Sequence, residues 1–573
     1  MTKIDITRTE LVWPGKYDED VNLVAPRRVS LPFQVIERVS ETRATRQQRE
    51  ADKKGHVATL FDYWQEEKAQ TTDQNDGWRN KLIWGDNLYV MSSLLDRFAG
   101  KIDLIYIDPP FATGADFSFS TLVGEDLELS KDQSIIEEKA YRDTWGQGIA
   151  SYITMIASRL QSMRDLLRDG GSIFVHCDWH VSAYLRLLMD DIFGKEKFLN
   201  EIAWHYRRWP TKAPIYQRSH DTIFWYKKGE QPHTWNQQYQ ELSAETLKRF
   251  GGKRVRGETT KEVLDEDSAG APMRDVWDIP HVLGANPERV DFPTQKPVGL
   301  LKTIIEGSSN PGDLIADFFV GSGTLPVSAE LTNRRWISAD LSRWSIHSTR
   351  KRLMEISNCK PFEILNLGRY ERQVWQGVTF DGQKQAQQML IFEYLKFILE
   401  LYGAQPLAGT QVLHGKKGSA VVHIGAVDAP VTIDEVLACL DECKQMGQKE
   451  LHILGWEWEM GLANLMVDEA KGQGIKLLML TIPREVMEQQ AVQKGDIHFY
   501  ELAYLETNIQ VKECKATISL VDFVIPNDEL IPPEVRQKIK KWSDYVDYWA
   551  IDWDFQNDAF VNGWTSYRTR KDR

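Results

Sequence analysis

The sequence predicts an α/β fold built on a mostly parallel sheet, and the order of its apolar segments is the main evidence. Short apolar runs typical of buried strands alternate with segments of helical periodicity from about 81 to 176 and again from about 314 to 357. Several of the strand-like runs stop at an aspartate or at a glycine-bearing turn. Parallel strands need crossover connections, so this alternation favours a sheet covered by helices on both faces.

The first block contains three predicted strands and two predicted helices. Lys81–Asp86 predicts a short strand that stops at a loop, and Asn87–Phe98 carries apolar residues at helical spacing. Ile102–Ile107 is a nearly continuous apolar run, which is typical of a strand buried on both faces. Ile153–Leu167 predicts an amphipathic helix, after which two glycines turn the chain into a strand over Ser172–His176.

The second block repeats the same alternation. A strand over Leu314–Asp317 leads through a glycine-bearing turn into a helix over Leu325–Asn333. Arg335–Asp340 predicts the next strand, and a helix follows from Ser342 to about Ser357. The stretch over about 204–290, between the two blocks, has weaker periodicity and many basic and aromatic residues, so we interpret it as an insert.

The length of 573 residues is too great for one simple core, so we expect several domains. We assign 1–80 to an N-terminal extension and linker, and 81–360 to the central α/β domain with its insert. A second α/β unit is predicted over 385–510 and an aromatic-rich, β-like region over 511–573. We interpret the second unit as an accessory domain.

The composition excludes several classes of protein. Acidic residues number 83 and basic residues 70, giving a net charge of −13, which argues against a general polyanion binder but not against a local basic groove. No run of about 18 apolar residues occurs, so no membrane span or membrane partner is expected. The five cysteines are an odd number and widely scattered, which favours a cytoplasmic setting over a disulfide framework.

Two patterns in 385–510 could carry chemistry, and we favour a structural role for both. Cys439 and Cys443 lie one helical turn apart, but no second Cys or His pair completes a zinc set, so we expect a buried helix face and no metal. Asp434, Glu457 and Glu459 suggest a nuclease-like carboxylate set. A lysine is expected two residues after Glu457, and Glu459 stands there instead, which counts against a nuclease.

The sharpest functional signal is Asp108-Pro109-Pro110-Phe111, at the end of the predicted strand Ile102–Ile107. Sites in parallel sheets are built at this strand end. The prolines fix the turn and supply no N–H donors, so Asp108 and the Pro109 carbonyl can accept from an amine while Phe111 stacks on a ring. The pattern predicts a clamp for a planar substrate with an exocyclic amine; the alternative is a strand-closing turn with a solvated aspartate.

A second signal is the glycine-bearing turn that follows Leu314–Asp317. Its glycines allow the backbone to approach a ligand closely, and the following helix N-terminus adds N–H donors. The turn lacks the third glycine of the dinucleotide fingerprint and the lysine of a phosphate loop. Asp340 ends the next strand, where an acid can accept from ribose hydroxyls. We predict a nucleoside-ligand site formed by Asp317, Phe319, Gly321, Gly323, Thr324 and Asp340. The alternative is a common tight strand-to-helix turn.

A third signal, Asp291-Phe292-Pro293-Thr294-Gln295-Lys296-Pro297, precedes a predicted helix from Val298 to about Gly307. Thr294 and Gln295 can cap that helix, so this segment taken alone favours a capping loop. The functional alternative is a loop that covers the ligand of the glycine-bearing turn, with Thr294 and Lys296 contributing to the site.

Together these motifs resemble the S-adenosylmethionine-dependent amino-methyltransferases of DNA. Asp108-Pro109-Pro110-Phe111 matches their catalytic motif, Phe319–Gly323 their cofactor motif, and Phe292–Pro297 the motif that also lines the cofactor pocket. The catalytic motif precedes the cofactor motif, which resembles the circularly permuted β class. Trp84-Gly85-Asp86-Asn87 is similar to the element of that class whose acid, here Asp86, approaches the cofactor adenine. The resemblance covers about 80 to 355.

Two further elements, Asn200-Glu201-Ile202 and His220-Asp221-Thr222-Ile223, are similar to the methylase subunits of type III restriction–modification systems. The resemblance implies a Rossmann-like methyltransferase fold that uses S-adenosyl-L-methionine and no metal. It implies that the target base is flipped out, that Asp108 and the Pro109 carbonyl hold its amine, and that Phe111 stacks on its ring.

The clamp also bears on the substrate. The resemblance implies that an aspartate at its first position favours site-specific methylation of adenine N6. It also implies that the chain belongs to a restriction–modification or phage-defence system. A cytosine-N4 DNA methyltransferase and a non-catalytic DNA-binding subunit of a defence complex stay open as alternatives. The expected partner is double-stranded DNA, and a homodimer or a defence-system partner subunit stays open.

The insert supplies the positive charge that DNA contact requires. Basic residues interleaved with aromatic ones occur twice within it, and a third cluster, Lys248–Arg256, carries five positive charges in nine residues. Such patches suit phosphate contact. The candidate DNA-binding residues are Arg207, Arg208, Lys212, Arg218, Lys253, Arg254 and Arg256. In the β class the target-recognition segment falls between the catalytic and cofactor motifs, which is where these residues lie. The alternative is a solvated surface loop.

Overall fold

The computed structural model of the chain describes residues 10–20, 22–26, 28–53, 77–110, 119–123, 127–131, 149–207, 212, 214–242, 244–250, 253–256, 262–267, 269–282, 286–290, 292, 294–380, 387–459, 462–495, 497–513, 515–524, 541–553, 555 and 559–567. These residues divide into two compact units. The first contains the described residues within 1–116, 137–366 and 551–564, and the second those within 117–136, 367–550 and 565–573.

The first unit is organised around one large sheet, in which eleven of the described strands are hydrogen-bonded side by side. In spatial order these are β13 (Val276–Asp278), β7 (Phe198–His205), β8 (His220–Lys227), β6 (Leu167–Cys177), β3 (Ile102–Ile107), β14 (Leu314–Asp317), β15 (Arg335–Asp340), β2 (Asn80–Trp84), β16 (Phe362–Asn366), β1 (Gln34–Val39) and β26 (Phe560–Asn562). From β6 to β16 all neighbours are parallel. Strand β8 runs antiparallel to both of its neighbours.

Helices and short strand pairs complete the first unit. Its helices are α1 (Arg43–Lys53), α2 (Asn87–Phe98), α3 (Ile149–Leu166), α4 (Ser182–Phe193), α5 (Ala244–Phe250), α6 (Val298–Ser308), α7 (Thr324–Leu331) and α8 (Arg343–Met354), with a 3₁₀ turn at Lys195–Lys197. Its short antiparallel pairs are β9 (Tyr239–Gln240) with β12 (Ala271–Pro272) and β10 (Lys253–Arg256) with β11 (Glu262–Asp267). The mostly parallel sheet with intervening helices confirms the predicted α/β fold class.

Burial explains why the central strands were recognisable from their sequence. In β3, Leu104, Ile105 and Ile107 are fully buried, as expected for a strand covered on both faces. The strand and helix predictions of both blocks are confirmed to within a few residues, except that β6 begins at Leu167, five residues before the predicted start.

Two strands at one edge of this sheet come from distant parts of the chain. Strand β1 pairs antiparallel with β16, and β26 pairs parallel with β1. Glu37 of β1 lies buried, where both of its carboxylate oxygens accept from Arg350 at 2.7 Å and one also accepts from Asn562 at 2.7 Å. This bidentate pair connects three segments far apart in the sequence.

The second unit contains a smaller α/β sheet of six described strands. They lie in the order β17 (Gln405–Pro406), β18 (Gly415–Lys417), β19 (Ala420–Ile424), β20 (Glu450–Gly455), β21 (Lys476–Thr481) and β22 (Tyr500–Glu501), and β19, β20 and β21 are parallel. The helices are α9 (Gly368–Phe380), α10 (Gln387–Tyr402), α11 (Ile433–Gln445), α12 (Leu462–Gly472) and α13 (Gln489–Lys494), with 3₁₀ turns at Arg484–Met487 and Trp542–Tyr545. The remaining strands are β4 (Phe119–Val123), β5 (Leu127–Lys131), β23 (Tyr504–Lys512), β24 (Lys515–Val524), β25 (Tyr548–Ile551) and β27 (Trp564–Tyr567).

The residues singled out in this unit have structural roles. Cys439 and Cys443 lie on the buried face of α11, which confirms the helix-face interpretation. Glu457 pairs with Arg372 at 2.8 Å, and Glu459 accepts from the backbone N–H of Ile433 at 2.8 Å. Within the described part of the chain, no three His, Cys, Asp or Glu side chains are grouped so that they could hold a metal ion.

A buried histidine in the second unit is held in its charged form. His423 is 4% exposed, and its Nδ1 lies 2.7 Å from the carbonyl oxygen of Val412 while Nε2 lies 2.7 Å from Glu435 Oε1. Both partners are acceptors, so both ring nitrogens carry protons. Burial acts to lower the pKa of His423, but interactions with Cys439, Glu435 and the Val412 carbonyl outweigh it and raise the pKa to about 10.

This histidine predicts a pH-dependent contribution to stability. Because the folded-state pKa lies above the ordinary value of about 6.5, the stabilisation is complete below about pH 6.5 and is lost as the pH rises through about 10. Glu435→Gln should therefore lower the free energy of unfolding by about 1–3 kcal/mol near pH 6, and by less as the pH approaches 10. Urea unfolding at several pH values measures this. The exposed Glu400→Gln variant is the matched control, and equal losses for Glu435→Gln at all pH values would contradict the assignment.

Candidate active site

Four aspartates meet at the carboxyl edge of the central sheet. Asp108 follows β3, Asp317 ends β14, Asp340 ends β15, and Asp86 lies two residues after β2. These four strands are neighbours and parallel, so their carboxyl ends lie at the same edge. The structure therefore brings the predicted clamp, the glycine-bearing turn and Asp86 to one side of the sheet.

Asp108 is held asymmetrically. The ammonium group of Lys296 donates to Oδ2, and Lys296 also donates to the carbonyl oxygen of Thr294 at 3.2 Å. The other oxygen, Oδ1, is buried and accepts no hydrogen bond from any described residue. The side chain is 16% exposed, and Pro109 and Pro110 are buried. A buried acceptor without a donor is costly unless a ligand supplies one, so Oδ1 is available to an N–H group.

Lys296 connects the clamp with the glycine-bearing turn. Its carbonyl oxygen accepts from the hydroxyl of Thr324 at 3.0 Å. Arg352, buried beneath the turn, donates to the carbonyl of Ser322 at 2.8 Å and to Thr324 Oγ1 at 3.1 Å. The clamp, the segment before α6 and the start of α7 thus form one hydrogen-bonded assembly. Thr294 is itself exposed.

The glycine-bearing turn requires its glycines. Gly321 has φ +50° and Gly323 has φ +80°, in the left-handed region. A Cβ at Gly323 would lie 2.5 Å from Oγ1 of Thr349. The backbone N–H of Gly321 donates to Asp340 Oδ2 at 2.9 Å, and Asp340 Oδ1 accepts from the N–H of Ser342. Asp340 therefore fixes the turn, whatever it contributes to ligand binding.

Asp317 is fully buried beneath the turn and accepts from the N–H of Phe319 at 2.9 Å. Burial raises its pKa well above the ordinary range, and the nearby carboxylates of Asp108 and Asp340 act in the same direction against the Phe319 hydrogen bond. Phe319 is only partly buried.

Asp86 lies at the start of α2, where it accepts from the N–H of Leu88 at 2.8 Å and pairs with Arg159 at 3.1 Å. Its neighbour Asn87, which the sequence analysis named only as part of the element Trp84–Asn87 and gave no role, donates to the carbonyl of Phe318 at 2.9 Å. Asn87 thereby ties this helix start to the glycine-bearing turn. Its place in that element was its signal in the sequence.

For several of the predicted site residues, the structure describes neither the backbone nor the side chain, or describes the backbone alone. Phe111 and Arg208 lie outside the described residues, as do the side chains of Lys253, Arg254 and Arg256, whose backbone forms part of β10. Arg207, Lys212 and Arg218 are exposed, which suits phosphate contact.

Arg218 has an aromatic partner that sequence reasoning missed. Its guanidinium lies 3.8 Å from the ring centroid of Trp179, which is 53% exposed. His180 also packs on this ring, and Nδ1 of His180 forms a hydrogen bond of 2.5 Å with Asp178 Oδ2. Trp179 follows β6, the neighbour of β3, so an exposed aromatic–arginine pair lies at the same sheet edge as Asp108. Its only sequence signal was its place just after a buried strand.

A second group missed from the sequence is buried next to Asp108. Nδ1 of His176 lies 3.8 Å from Asp108 Oδ1 and 2.9 Å from the hydroxyl oxygen of Tyr106. Nε2 of His176 lies 3.3 Å from Asp221 Oδ2, and Tyr206 donates to Asp221 Oδ1 at 2.9 Å. His176 ends the predicted strand Ser172–His176, but nothing in its spacing connected it with Asp221.

Comparison with known proteins defines the class. Residues 102–350 match the family N6_N4_Mtase, described as DNA methylase. This match, over less than half of the chain, confirms the resemblance and the predicted enzyme class, a DNA methyltransferase.

Two curated proteins and one solved structure show what the chain is similar to. The chain is 29% identical to the type II methyltransferase M.EcaI of Enterobacter cloacae over 334 residues, covering 48% of this chain and 69% of that protein. It is 26% identical to the type III StyLTI Mod subunit of Salmonella typhimurium, covering 44% of this chain and 50% of that subunit. Among solved structures, the M1.HpyAVI–SAM complex is 16% identical with a TM-score of 0.31, covering 48% of this chain and 98% of that chain. Among the described helices, none is both long and apolar enough to cross a membrane.

Proposed function

We propose that this chain transfers a methyl group from S-adenosylmethionine to N6 of adenine at specific sites in double-stranded DNA. The observation that carries the proposal is the buried, unpartnered Oδ1 of Asp108 beside a glycine-bearing turn. With Lys296 on Oδ2, only Oδ1 is left to accept from the amine of a flipped-out base. The clamp has an aspartate at its first position, and this favours adenine over cytosine.

S-Adenosylmethionine supplies an electrophilic methyl group, and the residues of the chain supply position and charge. Asp108 holds the amine so that the nitrogen lone pair faces the methyl carbon, and its negative charge stabilises the positive charge that develops on that nitrogen. Gly321 and Gly323 leave room for close approach to the turn, and the first N–H groups of α7 receive no side-chain cap. Asp86, Asp317, Phe319, Thr324, Asp340, Thr294 and Lys296 complete the proposed cofactor site.

The test is identification of the methylated nucleoside. Double-stranded DNA is incubated with the full chain and S-adenosylmethionine labelled in its methyl group, then digested to nucleosides. Label in N6-methyldeoxyadenosine supports the proposal, and label only in N4-methyldeoxycytidine establishes the cytosine alternative. No transfer to any DNA offered, with cofactor binding intact, would favour a non-catalytic DNA-binding subunit.

In this proposal, DNA binds to the basic residues of the insert over about 204–290. We propose that the chain works in the cytoplasm within a restriction–modification or phage-defence system, as a homodimer or with a partner subunit. Arg207, Arg208, Lys212, Arg218, Lys253, Arg254 and Arg256 are the proposed phosphate contacts. Exposure of Arg207, Lys212 and Arg218 supports this.

The pair formed by Arg218 and Trp179 gives a direct prediction for DNA binding. Arg218→Ala should weaken binding by about threefold to tenfold at moderate salt and reduce the slope of log affinity against log salt by about one. Fluorescence anisotropy with a labelled duplex measures both. Arg97→Ala removes an exposed arginine at the end of α2 and is the matched control. Equal binding by the two variants would exclude a phosphate contact at Arg218.

A further inference from the structure

Behind the clamp, four polar side chains form a buried hydrogen-bonded chain. It runs from Tyr106 through His176 and Asp221 to Tyr206, with distances of 2.9, 3.3 and 2.9 Å between successive polar atoms. Tyr106 belongs to β3, His176 to β6 and Asp221 to β8, which are adjacent strands. His176 is fully buried. Polar groups are placed in an interior at a cost, so a connected chain beside a reactive carboxylate indicates a role there.

The hydrogen bonds assign the protons of the imidazole. Asp221 is an acceptor, so Nε2 of His176 carries a proton toward it. Burial, together with the negative charges of Asp108, Asp317 and Asp221, raises the pKa of Tyr106 well above its ordinary range, so its hydroxyl stays protonated. In neutral His176, Nδ1 therefore accepts from Tyr106 and has no hydrogen to offer to Asp108.

Neutral His176 consequently leaves Asp108 Oδ1 open, although Nδ1 lies only 3.8 Å away. If His176 takes a proton from solvent at Nδ1, that nitrogen becomes a donor. The carboxylate of Asp108 is then its strongest nearby acceptor, because a charge-assisted hydrogen bond is stronger than one to a phenol. A small movement would join Nδ1 to Oδ1 and occupy the atom that the base amine needs.

We infer that His176 is a positioning residue for Asp108, which keeps Oδ1 free for the target amine when neutral and blocks it when protonated. The inference rests on the proposed methyl transfer to an amino group. It predicts that kcat falls at acid pH as His176 becomes protonated, with the proton supplied by solvent and no change in the chemistry of the transfer itself.

The groups around His176 set the pH at which this happens. Those that face it or its partners are Tyr106, Asp108, Asp221, Tyr206, Lys296, His281 and Asp317. Burial acts to raise the pKa of Asp221, but His176, Lys296 and Tyr206 together lower it, so Asp221 stays charged beside the ring. Charged Asp221 is the acceptor that faces Nε2 of His176, and the Tyr206 hydrogen bond weakens Asp221 in that role.

The pH profile of kcat tests this, measured with saturating DNA and S-adenosylmethionine. The fall of kcat at acid pH is the acid limb of this profile. His176→Gln places a side chain there that cannot be protonated, so this variant should lose the acid limb. Asp221→Asn should move the limb to lower pH by about one unit or more, since a close opposite charge is removed. Tyr206→Phe leaves Asp221 a stronger partner for the imidazolium and should move the limb in the opposite direction, to higher pH. Tyr226→Phe removes another buried tyrosine hydroxyl of β8, which donates to Asp190 of α4 at 2.6 Å, and should leave the limb unchanged.

Opposite shifts from Asp221→Asn and Tyr206→Phe are the expected result, because a purely structural role would not move a limb in two directions. An acid limb shared by the wild type and all variants, or shifts in the same direction, would overturn the inference. If His176→Gln fails to bind S-adenosylmethionine, the opposite shifts of the acid limb in Asp221→Asn and Tyr206→Phe still test the inference. Absence of methyl transfer by the wild type refutes the proposed function instead, so the two failures are distinguishable.

Discussion

Replacing Asp108 with asparagine should lower the rate of methyl transfer by about a thousandfold while S-adenosylmethionine binding is retained. Lys296 donates to Oδ2, so the asparagine amide should turn its oxygen toward Lys296. Its NH₂ group would then point where Oδ1 now lies, toward the amine of the target base. Two donors would face each other, and the charge that stabilises the developing positive nitrogen would be lost, which supports a loss of this size.

The measurement is the initial rate of labelled methyl transfer, with cofactor affinity determined in parallel by calorimetry. Asp468→Asn makes the same chemical change at an exposed position of α12 and is the matched control. Retention by Asp108→Asn of more than about a tenth of the wild-type rate would show that Asp108 does not hold the reacting amine.

The part of this site that could be predicted is the part set by local sequence. The apolar run Ile102–Ile107 predicts a buried strand because each residue's burial follows from its own side chain and its neighbours. Asp108 then lies at the carboxyl edge by the geometry of parallel sheets. The same reasoning located Asp317 and Asp340, and their positions at the ends of β14 and β15 agree with it.

Contacts between distant segments were not predictable. Lys296 and Asp108 are 188 residues apart, and the sequence suggested Lys296 only as part of a segment near the cofactor. Strand β1 carries Glu37 and Arg38 among its apolar residues, so its sequence does not indicate a buried strand, and we assigned it to the N-terminal extension. Its place at the sheet edge depends on Arg350, which pairs with buried Glu37 and offsets the cost of burying that charge.

His176 and Asp221 show the same limit at the site itself. His176 lies in a strand that the sequence predicts, whereas Asp221 was named only as part of the element His220–Ile223. Their contact depends on how β6 and β8 align, with His176 opposite Ile223. A shift of one residue would turn Asp221 to the other face of the sheet. The hydrogen-bond register is a property of the folded sheet, so spacing along the chain could not reveal this pair.

Replacing Gly323 with alanine should weaken S-adenosylmethionine binding strongly. At φ +80° an alanine costs about 1–2 kcal/mol in backbone strain. Its Cβ would also lie 2.5 Å from Oγ1 and 2.9 Å from Cα of Thr349, so a change of side-chain rotamer in Thr349 cannot relieve the contact. The turn must then move, at a further cost of about 1–3 kcal/mol, and the proposed cofactor site moves with it. Calorimetry should show an affinity lowered by about tenfold or more.

Gly312 provides the control that separates strain from displacement of the turn. It has φ +89°, but no atom lies within 4 Å of the position its Cβ would take. Gly312→Ala should therefore cost about 1–2 kcal/mol in the free energy of unfolding and leave cofactor affinity unchanged. If both alanine variants lowered the affinity equally, global destabilisation would explain the effect. If neither did, the glycine-bearing turn would not form the cofactor site, since a displaced turn could not bind the cofactor as the native turn does.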